Sequence, residues 1–338
     1  MEFLNTTSLD IKAFFFNAKT DYLPYYKNFS FEINQDDKNI DLKEILRLIK
    51  LENENFSYPS SNLVFRVNDL VVTGEEKVAT VIERLGNELV ITPILEYRSN
   101  NGLIINDDDF MANFDKILGK FATDKDREEY KKLYSIYYAS ESFIYEHNYI
   151  GDAIIIMASK MLNDDNRDDI LDAISFDVNG INSCEYENRF FDGVDYTQEI
   201  ESIKSLVRDT HKVSFIDKLQ SKCRAKMRKD IEVGDIKSKN VAVYYGNSSE
   251  NIEVSNEIKI NSARRLIGQS LAKINPNMMY NKAGKMLLEA FDKGAEVLIF
   301  ANSSDCQMVR KNIADIEFYM GREATMSLIS VEEFRKIS

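Results

Sequence analysis

Apolar and polar positions alternate in part along residues 9–16 and again along 26–33, where Tyr26, Phe29, Phe31 and Ile33 are spaced by polar residues. Alternation with β-forming side chains predicts two strands, and residues 17–21 (Asn-Ala-Lys-Thr-Asp) predict the turn between them. Asp41 then stands before Leu42, Ile45, Leu46 and Ile49, an N-cap followed by one apolar helical face. Shorter β-rich runs at 63–67, 78–82 and 89–94 predict further strands. From about residue 109 the period turns helical. A charged helix runs through 130–137, an apolar one through 152–162, and a third from about Thr197 that continues towards Met227. After residue 238 the pattern changes again. Apolar runs at 240–245 and 295–301 read as buried strands. A strand-then-helix pattern covers 258–271, and a helix at 281–294 carries Ala283, Met286, Leu287, Ala290 and Phe291. A further helix is expected at 307–312 and a late strand at 324–330. Near-continuous apolar strands alternating with helices predict a parallel α/β sheet.

These switches of period predict an α+β multidomain chain with three parts, residues 1–115, 116–237 and 238–338. The length of 338 residues fits two or three cores. A formal net charge of −13 opposes a nucleic-acid footprint, which needs a basic face. No apolar run approaches the ~18 residues of a membrane span, and the start Met-Glu-Phe-Leu-Asn lacks the pattern of a signal peptide. The expectation is a cytoplasmic protein. The one basic stretch holds Lys218, Lys222, Arg224, Lys226, Arg228 and Lys229, and reads as a solvated helix face or a docking element for an acidic partner. Three cysteines, Cys184, Cys223 and Cys306, are too scattered for a disulfide framework.

Several motifs carry a resemblance. Residues 149–153 read Tyr-Ile-Gly-Asp-Ala before the apolar helix, Arg167 and Asp168 follow it, and Cys184 and Gly193 precede the helix from Thr197. This resembles the helical half of the iron–sulfur subunit of succinate dehydrogenases and fumarate reductases. The first part is similar to that subunit's plant-ferredoxin-like domain, through Phe16-Asn17, Asp21, residues 46–50, Val67-Asn68, residues 90–94 and residues 106–110. The last part resembles the C-terminal portion of the heterodisulfide reductase B subunit, through Gly294-Ala295-Glu296 and Ser303-Ser304-Asp305-Cys306-Gln307. The resemblance implies a β-grasp ferredoxin-like domain, a helical ferredoxin-like domain and an α/β domain, each built near iron–sulfur clusters.

The ligands that the resemblance calls for are missing. Residues 56–63, where the family holds a 2Fe–2S cluster, contain no cysteine, and Cys184 is the first thiol of the chain. Asn275 to Tyr280 stand where paired cysteines are expected, and Ser303 and Ser304 replace a Cys and a Pro. A composite subunit of this type needs on the order of ten or more cysteines at about four per cluster. The expectation is a non-catalytic relative with no cofactor or metal, acting as an accessory or scaffold subunit. The resemblance implies a flavoprotein or a membrane redox complex as its partner. Phe190, Phe191 and Leu63 are expected to fill the former pockets.

Two other readings remain open. One is an electron-transfer subunit that keeps a cluster or reacts through Cys306. That thiol is expected at a strand-to-helix turn facing the mouth of the last domain, where a helix N-terminus lowers a thiol pKa. The other is a small-molecule binder using the Ser248 and Ser303 loops, with Ser248-Ser249 as an anion site at a helix start. His147 and His211 lack partner spacing for zinc or a triad. Asp107-Asp108-Asp109 lacks the alternation of a calcium loop and reads as a solvated turn and cap.

Overall fold

The computed structural model describes residues 6–34, 39–175, 179–207 and 236–337. His211, Cys223, the basic stretch 218–229 and the expected helical continuation to Met227 lie outside the described residues. The fold is α+β, with one mixed sheet and one parallel sheet. Contacts divide the chain into two compact units. One is Met1–Ser140, Ile150–Ile174 and Asn188–Lys204; the other is Glu141–Tyr149, Ser175–Glu187 and Ser205–Ser338.

In the first unit, β1 (Thr6–Phe15) and β2 (Tyr25–Asn34) form the expected antiparallel hairpin, in a register that sets Ile11 opposite Phe29. With β3 (Val64–Val67), β4 (Leu70–Thr73) and β5 (Glu88–Pro93) they make a five-stranded sheet of order β2-β1-β5-β3-β4. The β1–β5 pair is parallel and the others antiparallel. Helix α1 (Leu42–Glu52) starts at Asp41, whose side chain accepts the Glu44 N–H. Its buried Leu42, Ile45, Leu46 and Ile49 share a core with Leu9, Ile11, Phe15, Phe65 and Phe191.

Residues 78–82 are not a strand. They open helix α2 (Val78–Leu85). Val78, Val81, Ile82 and Leu85 recur at i, i+3, i+4 and i+7, so the helical period outweighed their β-branched character. A small hairpin, β6 (Ser99–Asn101) and β7 (Ile104–Ile105), leads to α3 (Asp109–Ile117). The expected helix through 130–137 is split into α4 (Asp124–Lys131), closed at its start by a Thr123/Asp126 capping box, and α5 (Tyr134–Ala139).

Asp109 is more than the turn-and-cap residue the sequence suggests. Arg98 donates to both its oxygens at 2.8 and 2.7 Å, and the Tyr137 and Tyr138 hydroxyls donate at 3.2 and 2.9 Å. Phe110 and Phe114 stack on Tyr130 at 4.4 and 4.3 Å beside this network. Arg66, buried on β3, donates to the carbonyls of Ile94 and Ala139, which ties the sheet to α5. Helix α6 (Asp152–Met161) is buried nearly all round, as its composition requires. Its N-cap, Gly151, has φ +90°, a conformation that glycine adopts without a Cβ penalty. Helices α7 (Arg167–Ile174) and α8 (Thr197–Leu206) follow.

In the second unit, β8 (Val241–Tyr244), β9 (Glu257–Ile258), β10 (Val297–Phe300) and β11 (Ser327–Ser330) form a parallel sheet of order β11-β10-β8-β9. Every residue of β8, β10 and β11 is buried. Ala242, Tyr244, Leu298 and Phe300 face α9 (Pro276–Asp292) and α10 (Ser303–Met320). Val241, Val243, Val297 and Ile299 face the opposite side with Ile252 and with Val331 of α11 (Val331–Ile337). The strand-then-helix pattern of 258–271 resolves into β9 and two short 3-10 turns, Asn261–Arg264 and Gln269–Leu271.

Candidate functional site

Along the inner face of α9, Met279, Ala283, Met286, Leu287 and Ala290 are buried, and so is Lys282. Its ammonium forms an ion pair with Glu185 and lies 3.7 Å from a Glu187 carboxylate oxygen. It also sits 5.2 Å from the Tyr145 ring centroid. Both glutamates are held by further donors. Ser270 Oγ donates to Glu185 at 3.0 Å, and the Leu266 N–H donates to Glu187 at 3.0 Å. Nearby in the same unit, Arg265 pairs with the buried Glu141 at 3.4 Å, and Lys285 lies 4.6 Å from the Tyr145 ring. Ser183 Oγ accepts from the Asn275 side-chain amide at 2.8 Å, and Ser142 donates to the Ser183 carbonyl at 2.7 Å.

This network is how residues 141–149 and 179–187 join the C-terminal sheet in one unit. Burial alone would depress the Lys282 pKa, but the carboxylates of Glu185 and Glu187 reverse that and raise it. The lysine is therefore a fixed cation and not a nucleophile or general base. Asp305, buried on the first turn of α10, carries the opposite burden. Burial, then the negative charge of Glu185, pushes its carboxyl up to about 6.

Cys306 follows Asp305 inside α10, four residues beyond the Asn302 N-cap. It does not face a mouth. It is buried in the core cluster with Val309 and Ile313. Burial pushes its thiol up to about 11, against a smaller lowering effect of Arg310, so the helix N-terminus does not produce a reactive thiolate. Cys184 is buried at the end of the 3-10 turn Ile181–Ser183. Neither cysteine is in a disulfide.

The remaining sequence candidates are dispersed. Ser248 accepts a backbone turn bond from Glu250, and its own N–H donates to the Tyr245 carbonyl. No helix begins at Ser248-Ser249, so the anion site expected there lacks its helix start. Ser303 hydrogen-bonds Glu332, and Ser304 hydrogen-bonds both its cap Asn302 and Gln269. His147 is exposed in a turn. Phe191 is buried in the core of the first unit, with Leu63 partly buried against it, and the Phe190 backbone bridges to Val71. Among the described residues no group of three His, Cys, Asp or Glu is placed to hold a metal ion, and no helix is long and apolar enough to cross a membrane.

Sequence reasoning missed Lys282, Glu185 and Glu187. One signal was available for the lysine. It stands three residues after Met279 and four before Met286, on the stripe that the other apolar residues define as buried. A lysine at such a position needs a buried acid.

No protein-family model matches the chain, and no curated protein does. Among solved structures, the crystal structure of a hypothetical protein from Helicobacter pylori is similar over 99% of this chain and 71% of that one, at 17% identity and a TM-score of 0.47.

Proposed function

We propose that the protein is a cluster-less relative of the succinate dehydrogenase and fumarate reductase iron–sulfur subunit, joined to a heterodisulfide reductase B-like domain. It acts as a non-catalytic accessory or scaffold subunit of a redox system, and its partner is a flavoprotein or a membrane redox complex. The finer fold reading belongs to the same proposal: a β-grasp domain, a helical ferredoxin-like domain and an α/β domain. The sheet order β2-β1-β5-β3-β4, with α1 between its two hairpins, supports the β-grasp part.

The observation that carries the reading is the donor set at the inherited ligand positions. An iron–sulfur cluster is held by several thiolates. Residues 56–63 supply Phe56, packed on Phe15 at 5.3 Å, and Leu63, with serines between them. Asn275 and Ser183 are hydrogen-bonded to each other, and Cys306 is a core residue. These residues do not fit a cluster. The packing of Phe56 and Cys306 and the Asn275–Ser183 hydrogen bond support the reading of a frame kept for its shape.

Gentle purification of the tagged full chain from its native cell tests the role. A flavin-bearing or membrane redox subunit in about equimolar amount is the expected result. A chain that purifies alone at native abundance, with turnover of its own, would overturn it.

A further inference from the structure

We propose that the outer edge of β2 is a dimer interface, where the strand pairs antiparallel with β2 of a second copy about a twofold axis at Phe29. The proposal goes beyond the scaffold reading and does not depend on it.

The five-stranded sheet ends on β4 at one side and on β2 at the other. The chain itself covers β4. The Val71 N–H donates to the Arg189 carbonyl, and the Val71 carbonyl accepts from the Phe191 N–H, both at 2.8 Å. Among the described residues nothing pairs with the outer side of β2, which runs beside β1 for 10 residues in unbroken register. The direction of the β1 backbone shows which groups that edge offers. The Asp10 N–H donates to the Asn87 carbonyl at 2.9 Å, and the Ser8 carbonyl accepts from the Asn87 amide at 3.0 Å. Even-numbered residues of β1 thus turn their peptide groups towards β5, and odd-numbered ones bond β2. Their partners Tyr25, Lys27, Phe29 and Phe31 direct both groups at β1. The N–H and C=O groups of Tyr26, Asn28, Ser30 and Glu32 therefore point outward as an open ladder. Native edges of this length are blunted by proline, lysine or a bulge. β2 has no proline, and its one lysine, Lys27, lies back over the Phe15 and Tyr25 rings at 5.2 and 5.7 Å.

The occupant is a second copy because the strand is complementary to itself. A twofold axis normal to the sheet keeps the α1-bearing faces of both copies on one side, so residues of the same face must meet. With Phe29 opposite its own copy, Lys27 meets Phe31 and Tyr25 meets Ile33 on the core side. On the other side Asn28 meets Ser30, and Tyr26 meets Glu32. Aromatic pairs, an aromatic against a β-branched residue and a cation against a ring are the cross-strand pairs that stabilise a sheet. The charges match as well. Lys12 lies 5.0 Å from the Tyr26 ring centroid, so Glu32 of each copy comes to a ring that already carries a cation. Lys27 and Glu32 are the only Lys, Arg, Asp or Glu residues from 25 to 33, and neither meets its own kind. Moving the axis to Ser30 would set Lys27 against Ile33 and Glu32 against Asn28, which loses both charged contacts. The axis at Phe29 also gives every residue from 25 to 33 a partner on the same strand.

Sedimentation velocity of the full chain across a concentration series tests this. A concentration-dependent monomer–dimer equilibrium is expected. Asn28→Pro removes an outward N–H and leaves the β1 ladder intact, a place where an edge strand tolerates proline. It should abolish the dimer while the circular dichroism spectrum and the melting temperature stay close to the parent's. Glu32→Lys changes an exposed side chain, so folding is kept. It sets a cation against Lys12 twice in the dimer and should weaken dimerisation about tenfold. The proposal is overturned if the parent chain stays monomeric up to ~100 µM, where a micromolar dimer is saturated. It is overturned equally if the dimer survives unchanged in the folded Asn28→Pro chain or in Glu32→Lys, since another face would then hold it.

Discussion

Lys282 and Glu187 lie 3.7 Å apart inside the second unit, with 1% and 8% of their side chains exposed. Glu185 pairs with the same ammonium. Removing one partner of a buried pair leaves an uncompensated charge, which costs about 3–5 kcal/mol, whereas replacing the whole group by apolar residues is often neutral. Lys282→Met should therefore lower stability by about that amount in urea unfolding. Adding Glu185→Gln and Glu187→Gln to it should recover most of the loss. Equal loss in the single and the combined variant would show that the network contributes by packing alone.

Asp305 gives the unit a pH dependence of unusual sign. Its carboxyl stands at about 6 in the folded chain, against an ordinary 3.8. The folded state thus holds this proton more tightly than the unfolded state. The contribution is fully present below the unfolded value and is lost as pH rises through about 6. Asp305→Asn keeps the neutral form at every pH, so it should raise stability at pH 7–8 and change it little near pH 4. Thermal melts of both proteins across that range measure the difference. A variant less stable than the parent at pH 8 would contradict the assignment.

Cys306 should behave as a core thiol. With Cys184→Ala and Cys223→Ser in place, iodoacetamide at pH 7.5 should alkylate it more slowly than it alkylates the same chain in urea. Labelling faster than a small-molecule thiol would restore the reading of Cys306 as a reactive group.

Local pattern carried the hairpin and first helix of the first unit and the sheet of the second, while β4 (Leu70–Thr73) was not expected. Asp41 and the 3.6-residue spacing of Leu42, Ile45, Leu46 and Ile49 place the start and the buried face of α1. The alternation around Ile11 and Phe29 finds β1 and β2, while their pairing register comes from the structure. The strand expected at 78–82 failed because all five of its residues are β-branched or apolar, and so short a run fits both periods. Helix α10 begins at Ser303, earlier than the apolar spacing suggests, because its polar first turn is capped by Asn302. The ion network was legible only at Lys282. Its acids, Glu141, Glu185 and Glu187, stand about a hundred residues or more from it in sequence, and no local period encodes such a pairing.

Iron and acid-labile sulfide per chain, measured on protein made and purified anaerobically, test the central claim most directly. The account predicts a colourless protein with far less than one iron per chain, and a stability that does not change when iron is withheld during expression. Stoichiometric iron and sulfide, with a visible thiolate-to-iron band lost on replacing Cys184 or Cys306, would contradict it and establish an electron-transfer subunit instead.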